Sequence, residues 1–192
     1  INELRDLSKY KNRKIIIGYN RRFYPSVKKI KDYLKLNGNC TSCKFQFTEW
    51  PKYVLSNKYS NEILKRWVIG NSSHVIDLFI YFCGIPKKFS AYRNGKLSWH
   101  KSGAQFCGSG ITSENIIFSY HADWMAPGSW SFELMSKDKK FILEPLEEIK
   151  IQKMYNIKKE KLNLEHDTNI ELKLGLFEQI KLFLKKDFKN IV

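Results

Sequence analysis

From Ile116 to Trp124 apolar and polar side chains alternate. Ile116, Phe118, Tyr120, Ala122 and Trp124 fall on one side of an extended chain, and Ile117, Ser119, His121 and Asp123 on the other. That period of two marks a half-buried strand, here expected over 113–124. Trp130, Phe132 and Leu134 against Ser131, Glu133 and Met135 repeat it, predicting a strand at 129–137. Further strands are expected at 87–94, 97–107, 139–144 and 148–155. Asn94-Gly95 and Pro127-Gly128 supply hairpin turns, and Gly103, Gly108 and Gly110 are read as lying in a Ser-rich turn.

The first part of the chain has a different rhythm. Residues 3–11 have the spacing of a short amphipathic helix. Ile15-Ile16-Ile17 form a continuous apolar run, which predicts a strand at 13–19 covered on both faces, as in a parallel sheet. Pro25 opens a helix that stops at Asn37-Gly38. From Thr41 the period returns to two, with Cys43, Phe45 and Phe47 on the buried side. Residues 51–60 are expected to be an irregular loop, 61–70 helical, and the following segment a buried helix ending at Gly84. A last helix is expected at 169–187, with Leu172, Leu176, Ile180 and Leu184 on one face. Helices, then a broad sheet, then a covering helix make the fold class α+β: a large, mostly antiparallel open sheet with helices packed on one face. Large side chains on both faces of the strands predict that the uncovered face associates with a second copy.

Composition narrows the picture. A chain of 192 residues with 43% hydrophobic and 15% aromatic residues can bury a core. It has no apolar run of membrane-spanning length and no secretory signal, so a cytoplasmic location without membrane attachment is expected. It begins with Ile rather than Met, which suggests a piece of a longer protein. The formal net charge of +15 invites a nucleic-acid reading, but the lysines are spread along the whole chain and no nucleic-acid module is present. No specific nucleic-acid partner is expected. Of the four cysteines, Cys40 and Cys43 form one CxxC. Without a second pair or a suitably spaced His this is weak as a zinc signal, and no metal is expected.

Candidate chemistry concentrates in GNSSHVIDLF at 70–79. His74 and Asp77 lie three apart, hence on one helical face, with Tyr81 one turn on. A polar stripe on an otherwise apolar helix must be satisfied internally or face a cleft. A His in the first turn of a helix is held neutral, the state a general base needs. Arg21 and Arg22, at the end of the expected strand, suit either a phosphate or carboxylate clamp or a solvated pair. Trp99, His100, His121 and Asp123 are left without a functional role.

A family resemblance runs through these segments. GYNRRFYPSVKKIKDYL at 18–34 resembles the stretch where glucose–fructose oxidoreductase / inositol dehydrogenase (Gfo/Idh/MocA) proteins leave their Rossmann domain. NSSHVIDLFIYFCGIPKKFSA at 71–91 is similar to their HxxDL helix, SFELMSKDKKFILEP at 131–145 to a hairpin, and LGLFEQIKLFL at 174–184 to the closing helix. The resemblance implies residues 1–20 as the end of an N-terminal Rossmann domain and 21–192 as a C-terminal substrate-binding and oligomerisation domain. It implies an NAD(P)-dependent oxidoreductase acting on a secondary alcohol of a sugar, sugar nucleotide or cyclitol. NAD or NADP would be bound by the intact enzyme and not by this chain alone, which has no GxGxxG loop. By resemblance His74 is the proton-transfer residue, Asp77 orients it, Tyr19, Arg21 and Asn71 face the substrate, and Asn20 faces the cofactor. Many family members carry an Asp four residues before the His, where this chain has Gly70, so either Asn71 takes the polar role or catalysis is impaired. Association as a homodimer or homotetramer through the sheet is implied too. The rival reading is a non-catalytic sheet domain that mediates protein association or binds a polyanion.

Overall fold

The computed structural model describes residues 2–11, 15–164, 173–188 and 191. Helix α1 (Asn2–Tyr10) opens the chain, and a 3-10 turn, Asn20–Phe23, precedes the second helix. Helix α2 (Pro25–Asn37) starts with Pro25 in the first turn, where a missing N–H costs nothing, and stops at Gly38, whose φ of 92° disfavours side chains. Val27, Ile30 and Leu34 form its buried stripe. Strand β1 (Ser42–Phe47) buries Cys43, Phe45 and Phe47 as its alternation predicts. Short helices α3 (Pro51–Ser56) and α4 (Asn61–Lys65) and a π turn, Val68–Ser72, lead into α5 (Ser73–Cys83). The α5 core residues Val75, Leu78, Phe79, Phe82 and Cys83 lie over the sheet, with the Phe79 ring 5.2 Å from Phe45 and 4.5 Å from Phe118.

Seven further strands follow: β2 (Pro86–Asn94), β3 (Gln105–Thr112), β4 (Ile117–Asp123), β5 (Trp130–Met135), β6 (Lys139–Leu143), β7 (Ile149–Lys153) and β8 (Lys159–Leu162). They pair in the order β2-β3-β4-β1-β5-β6-β7-β8. β1 sits at the centre, parallel to β4 and antiparallel to β5, and the other pairs are antiparallel. Register places Phe45 opposite both Tyr120 and Phe132, with ring centroids 5.5 and 6.4 Å away. The α+β architecture expected from the sequence is present. On the face away from α5, exposed Tyr92 and Ile117 stand among Lys44, Gln46, Ser90, Ser109 and Ser119.

Several elements differ from expectation. Residues 15–19 form no strand, and Ile15 and Ile17 are exposed; 12–14 lie outside the described residues. A parallel strand buried on both faces needs neighbouring strands and helices on each side, and the described residues of this chain supply none. The loop expected at 51–60 contains α3, begun by Pro51 in its first turn. The strand expected at 97–107 starts at Gln105, because Trp99 and His100 turn inward to the core. Trp99 stacks on Trp124 at 5.6 Å, and the Trp124 and His100 rings are 4.9 Å apart. Gly108 and Gly110 lie within β3 rather than in a turn. The Tyr120 ring occupies the place of a Gly108 side chain, and a Cβ at Gly110 would run into the Lys88 carbonyl oxygen and Phe89. Strand β8, Lys-Glu-Lys-Leu, carries no apolar alternation and was not anticipated; charged residues are the usual composition of a sheet edge. Helix α6 (Leu176–Leu184) packs chiefly on the 3-10 turn, leaving Ile180 and Leu184 exposed; 169–172 lie outside the described residues.

The cysteines are free. Cys40 and Cys83 sulfurs lie 3.6 Å apart in the core, and the Cys40 thiol is held well above its ordinary pKa by that contact and by burial. Both are therefore protonated thiols. Among the described residues no group of His, Cys, Asp and Glu is arranged to hold a metal, and no helix is long and apolar enough to cross a membrane.

Candidate functional site

The polar stripe of α5 divides in two. Asp77 is satisfied internally by Arg22, which also covers the Tyr81 ring. The guanidinium grips Asp77 with two parallel hydrogen bonds, Nε to Oδ2 at 2.8 Å and Nη2 to Oδ1 at 2.7 Å, and lies over the Tyr81 ring at 5.0 Å. Lys31 covers the same ring at 4.4 Å. Arg22 is thus a clamp for a carboxylate of its own chain. It fixes the 3-10 turn onto α5 and so sets where Tyr19 and Arg21 stand.

His74, one turn N-terminal to Asp77, has no such partner. Its Nδ1 is buried without a hydrogen bond. The Tyr19 ring meets the imidazole edge-on at 5.4 Å, and the Trp130 ring lies 6.4 Å away. Burial, with the Arg21 charge second, pushes the His74 pKa down to about 4, so the imidazole is neutral at pH 7. Arg21 lies over Trp130 at 5.3 Å and donates to Asn20 Oδ1 at 2.7 Å. Asn20 is buried and donates to the Leu174 carbonyl at 2.9 Å. Both ends of its amide are engaged within the chain, tying the turn to the segment that precedes α6.

A pocket of about 390 Å³ opens beside this group. Arg21, Asn71 and Trp130 lie in its wall, with Glu49, Trp67 and Lys173. Glu49, two residues after β1, is a buried carboxylate that sequence reasoning missed. Oε1 accepts from Ser72 at 2.7 Å and from Trp130 Nε1 at 3.2 Å, while the Asn71 amide donates to both oxygens at 3.2 Å. Burial raises its pKa against the opposing effect of these donors. The signal in the sequence was an acidic residue between Thr48 and Trp50 at the end of an alternating strand, which is no motif by itself. Gly70 lies in the π turn with nothing near the position of a side chain, while Asn71 turns to Glu49.

Arg21 and Asn71 therefore line the pocket with Trp130, and His74 packs between Trp130 and Tyr19 outside the lining, whereas Asp77 is held by Arg22 and Asn20 by Arg21 and the Leu174 carbonyl. Sequence spacing joined His74 to Asp77, but the fold turns His74 toward Tyr19 and Trp130 and Asp77 toward Arg22. The group combines a neutral imidazole able to exchange a proton, a carboxylate and an amide suited to hydroxyl groups, and a guanidinium.

No protein-family model and no curated protein matches the sequence. Solved structures do match the fold. UDP-N-acetylglucosamine 3-dehydrogenase GnnA from Acidithiobacillus ferrooxidans aligns over 98% of this chain and 57% of its own, at 12% identity and a TM-score of 0.69. The dehydrogenase MviM from Clostridium difficile aligns over 98% and 58%, at 20% identity and a TM-score of 0.72. Levoglucosan dehydrogenase in complex with NADH and L-sorbose aligns over 96% and 59%, at 15% identity and a TM-score of 0.71. The chain spans under three fifths of the length of each. Its fold is that of a domain of Gfo/Idh/MocA-type dehydrogenases, the family whose motifs its sequence resembles.

Proposed function

We propose that this chain is the C-terminal, substrate-binding domain of an NAD(P)-dependent oxidoreductase that acts on a secondary alcohol of a sugar, sugar nucleotide or cyclitol. The observation that carries the reading is His74, a neutral imidazole with a buried, unpartnered nitrogen, packed against Trp130, which lines a pocket with hydroxyl-binding groups. Bound nicotinamide supplies the acceptor or donor of the carbinol hydride. His74 takes the hydroxyl proton as the carbonyl forms and returns it in the reverse direction. Tyr19 and Trp130 fix the plane of the imidazole and exclude water from it. Asn71 and Arg21 orient substrate oxygens, and Asn20 acts by holding Arg21.

The dehydrogenase neighbours, one of them crystallised with NADH, support this reading. So do the exposed Leu4, Leu7, Ile15 and Ile17, apolar side chains that docking against the rest of a Rossmann domain would cover. On this reading residues 1–20 end that domain and 21–192 form the second one.

The test is His74→Ala in the full-length enzyme, with NAD(P)H formation followed optically. Loss of the proton-transfer group lowers kcat by about 10²–10⁴, and the conservative His74→Gln variant, which fills the same space, stays as inactive. Turnover within a few-fold of wild type would make His74 a packing residue and remove the mechanism.

A further inference from the structure

Among the described residues two buried side-chain polar atoms lack a hydrogen-bond partner, His74 Nδ1 and Trp67 Nε1. The mechanism uses the first. Trp67 is only 6% exposed, and it contributes to the wall of the same pocket as Glu49. Its indole N–H faces the Glu49 carboxylate and favours the charged form, yet reaches no acceptor at hydrogen-bond geometry. A buried donor left unmade costs more than a typical hydrogen bond gains, so an orphan in a pocket wall marks a place for a ligand atom.

Glu49 supplies the complement. Oε1 is crowded by Ser72, Trp130 and Asn71, while Oε2 accepts one 3.2 Å bond from Asn71 and keeps acceptor capacity. An unused donor and an unused acceptor thus lie close together. A hydroxyl group answers both, because its hydrogen donates to Glu49 while its oxygen accepts from Trp67. A trans amide does not, since its N–H and C=O point in opposite directions. Nor does an anion, which has no proton for the carboxylate and meets its like charge. Trp50, Tyr53 and Tyr59, all exposed, surround this end of the pocket and offer faces for the C–H side of a ring.

Taking the pocket as the substrate site, we propose that Glu49 and Trp67 form a hydroxyl-binding subsite that selects an uncharged, hydroxylated ring at this end and rejects an acidic one. This assigns specificity to a carboxylate on the strand β1 side of the pocket and to an indole before the π turn, neither of which lies on α5.

The test uses the chain itself, with methyl β-D-glucopyranoside and its C6 acid, methyl β-D-glucuronopyranoside, as probes. Binding is read from the indole N–H resonances in ¹H–¹⁵N spectra. The glucoside is expected to shift the Trp67 resonance, and the glucuronide to bind about tenfold more weakly. Glu49→Gln weakens glucoside binding about tenfold and abolishes the preference over the glucuronide. A merely structural Glu49 would lower the melting temperature and leave that preference intact, which would overturn the proposal. Trp67→Phe keeps an aromatic ring and loses only the donor, so it carries the test even if the Gln variant fails to fold. It is expected to weaken the glucoside several-fold, and unchanged affinity overturns the subsite. No shift of Trp67 at about 100 mM glucoside, far above a millimolar dissociation constant, overturns it too. Because binding is measured without turnover, this failure is separate from failure of the His74 mechanism.

Discussion

Replacing Asp77 by Asn removes one charge from the Arg22 clamp and leaves its shape. The two side chains are 14% and 7% exposed, so the guanidinium loses its counter-charge where water only partly compensates. Removing one partner of a fully buried pair costs about 3–5 kcal/mol. Here the remaining access to water, the one oxygen Asn keeps and the Tyr81 face under Arg22 reduce this to about 2–3 kcal/mol. For a chain of this size that corresponds to a melting temperature lowered by about 5–10 °C. Urea unfolding of wild type, Asp77→Asn, Arg22→Gln and the double variant would measure the coupling. The double variant should cost less than the sum of the single ones by about 1 kcal/mol or more, since the second change removes a charge already stranded. A strictly additive cycle, or an Asp77→Asn loss below about 0.5 kcal/mol, would refute the clamp and return Asp77 to the candidates for a direct role in the chemistry.

His74 should titrate in the folded chain near 4 instead of 6.5, as read from its ring resonances. The unfolded chain then holds a proton that the folded one refuses between those values, so stability falls as pH is lowered through that window and is flat above it. Discounted for partial exposure, the loss is about 1–2 kcal/mol, and a His74 midpoint near 6.5 would contradict its burial. Gly110→Ala should destabilise by about 1–3 kcal/mol in thermal unfolding, because the added methyl has no room beneath β2. Gly70→Ala, with open space around it in a helical turn, should be neutral or slightly stabilising. Association through the uncovered sheet face is expected to give a two-fold symmetric dimer or tetramer by light scattering, reduced by Tyr92→Lys and Ile117→Lys; a monomer at about 100 μM would exclude it.

The elements whose signal is local were legible in the sequence. Pro25 and Gly38 bound α2, the alternation from Cys43 to Phe47 makes β1, and the strict period through Ile116 to Trp124 gives β4 its buried face. The apolar run that makes the buried helix α5 was legible for the same reason, while its HxxDL pattern was legible only through the family resemblance. What escaped depends on residues far apart in the chain. Nothing local says that β1 lies between β4 and β5, since a strand buried on one face reads alike at the centre or near an edge. Trp99 and His100 look like strand residues until Trp124 draws them inward, and Gly108 and Gly110 look like turn residues until Tyr120, Lys88 and Phe89 occupy the space beside them. Ile15 to Ile17 show the converse: the sequence encodes a buried strand, but a strand exists only where a neighbour accepts its hydrogen bonds. The candidate site divides along the same line. The spacing of His74 and Asp77 put both on one helical face, and that much the sequence determined. Only the tertiary structure decided that Arg22, 55 positions from Asp77, takes the carboxylate, leaving His74 to Tyr19 and Trp130. It likewise decided that Glu49 and Trp67 meet in one pocket, because the hydrogen-bond partners of a buried polar atom are set by the packing of distant elements and not by its neighbours in the chain.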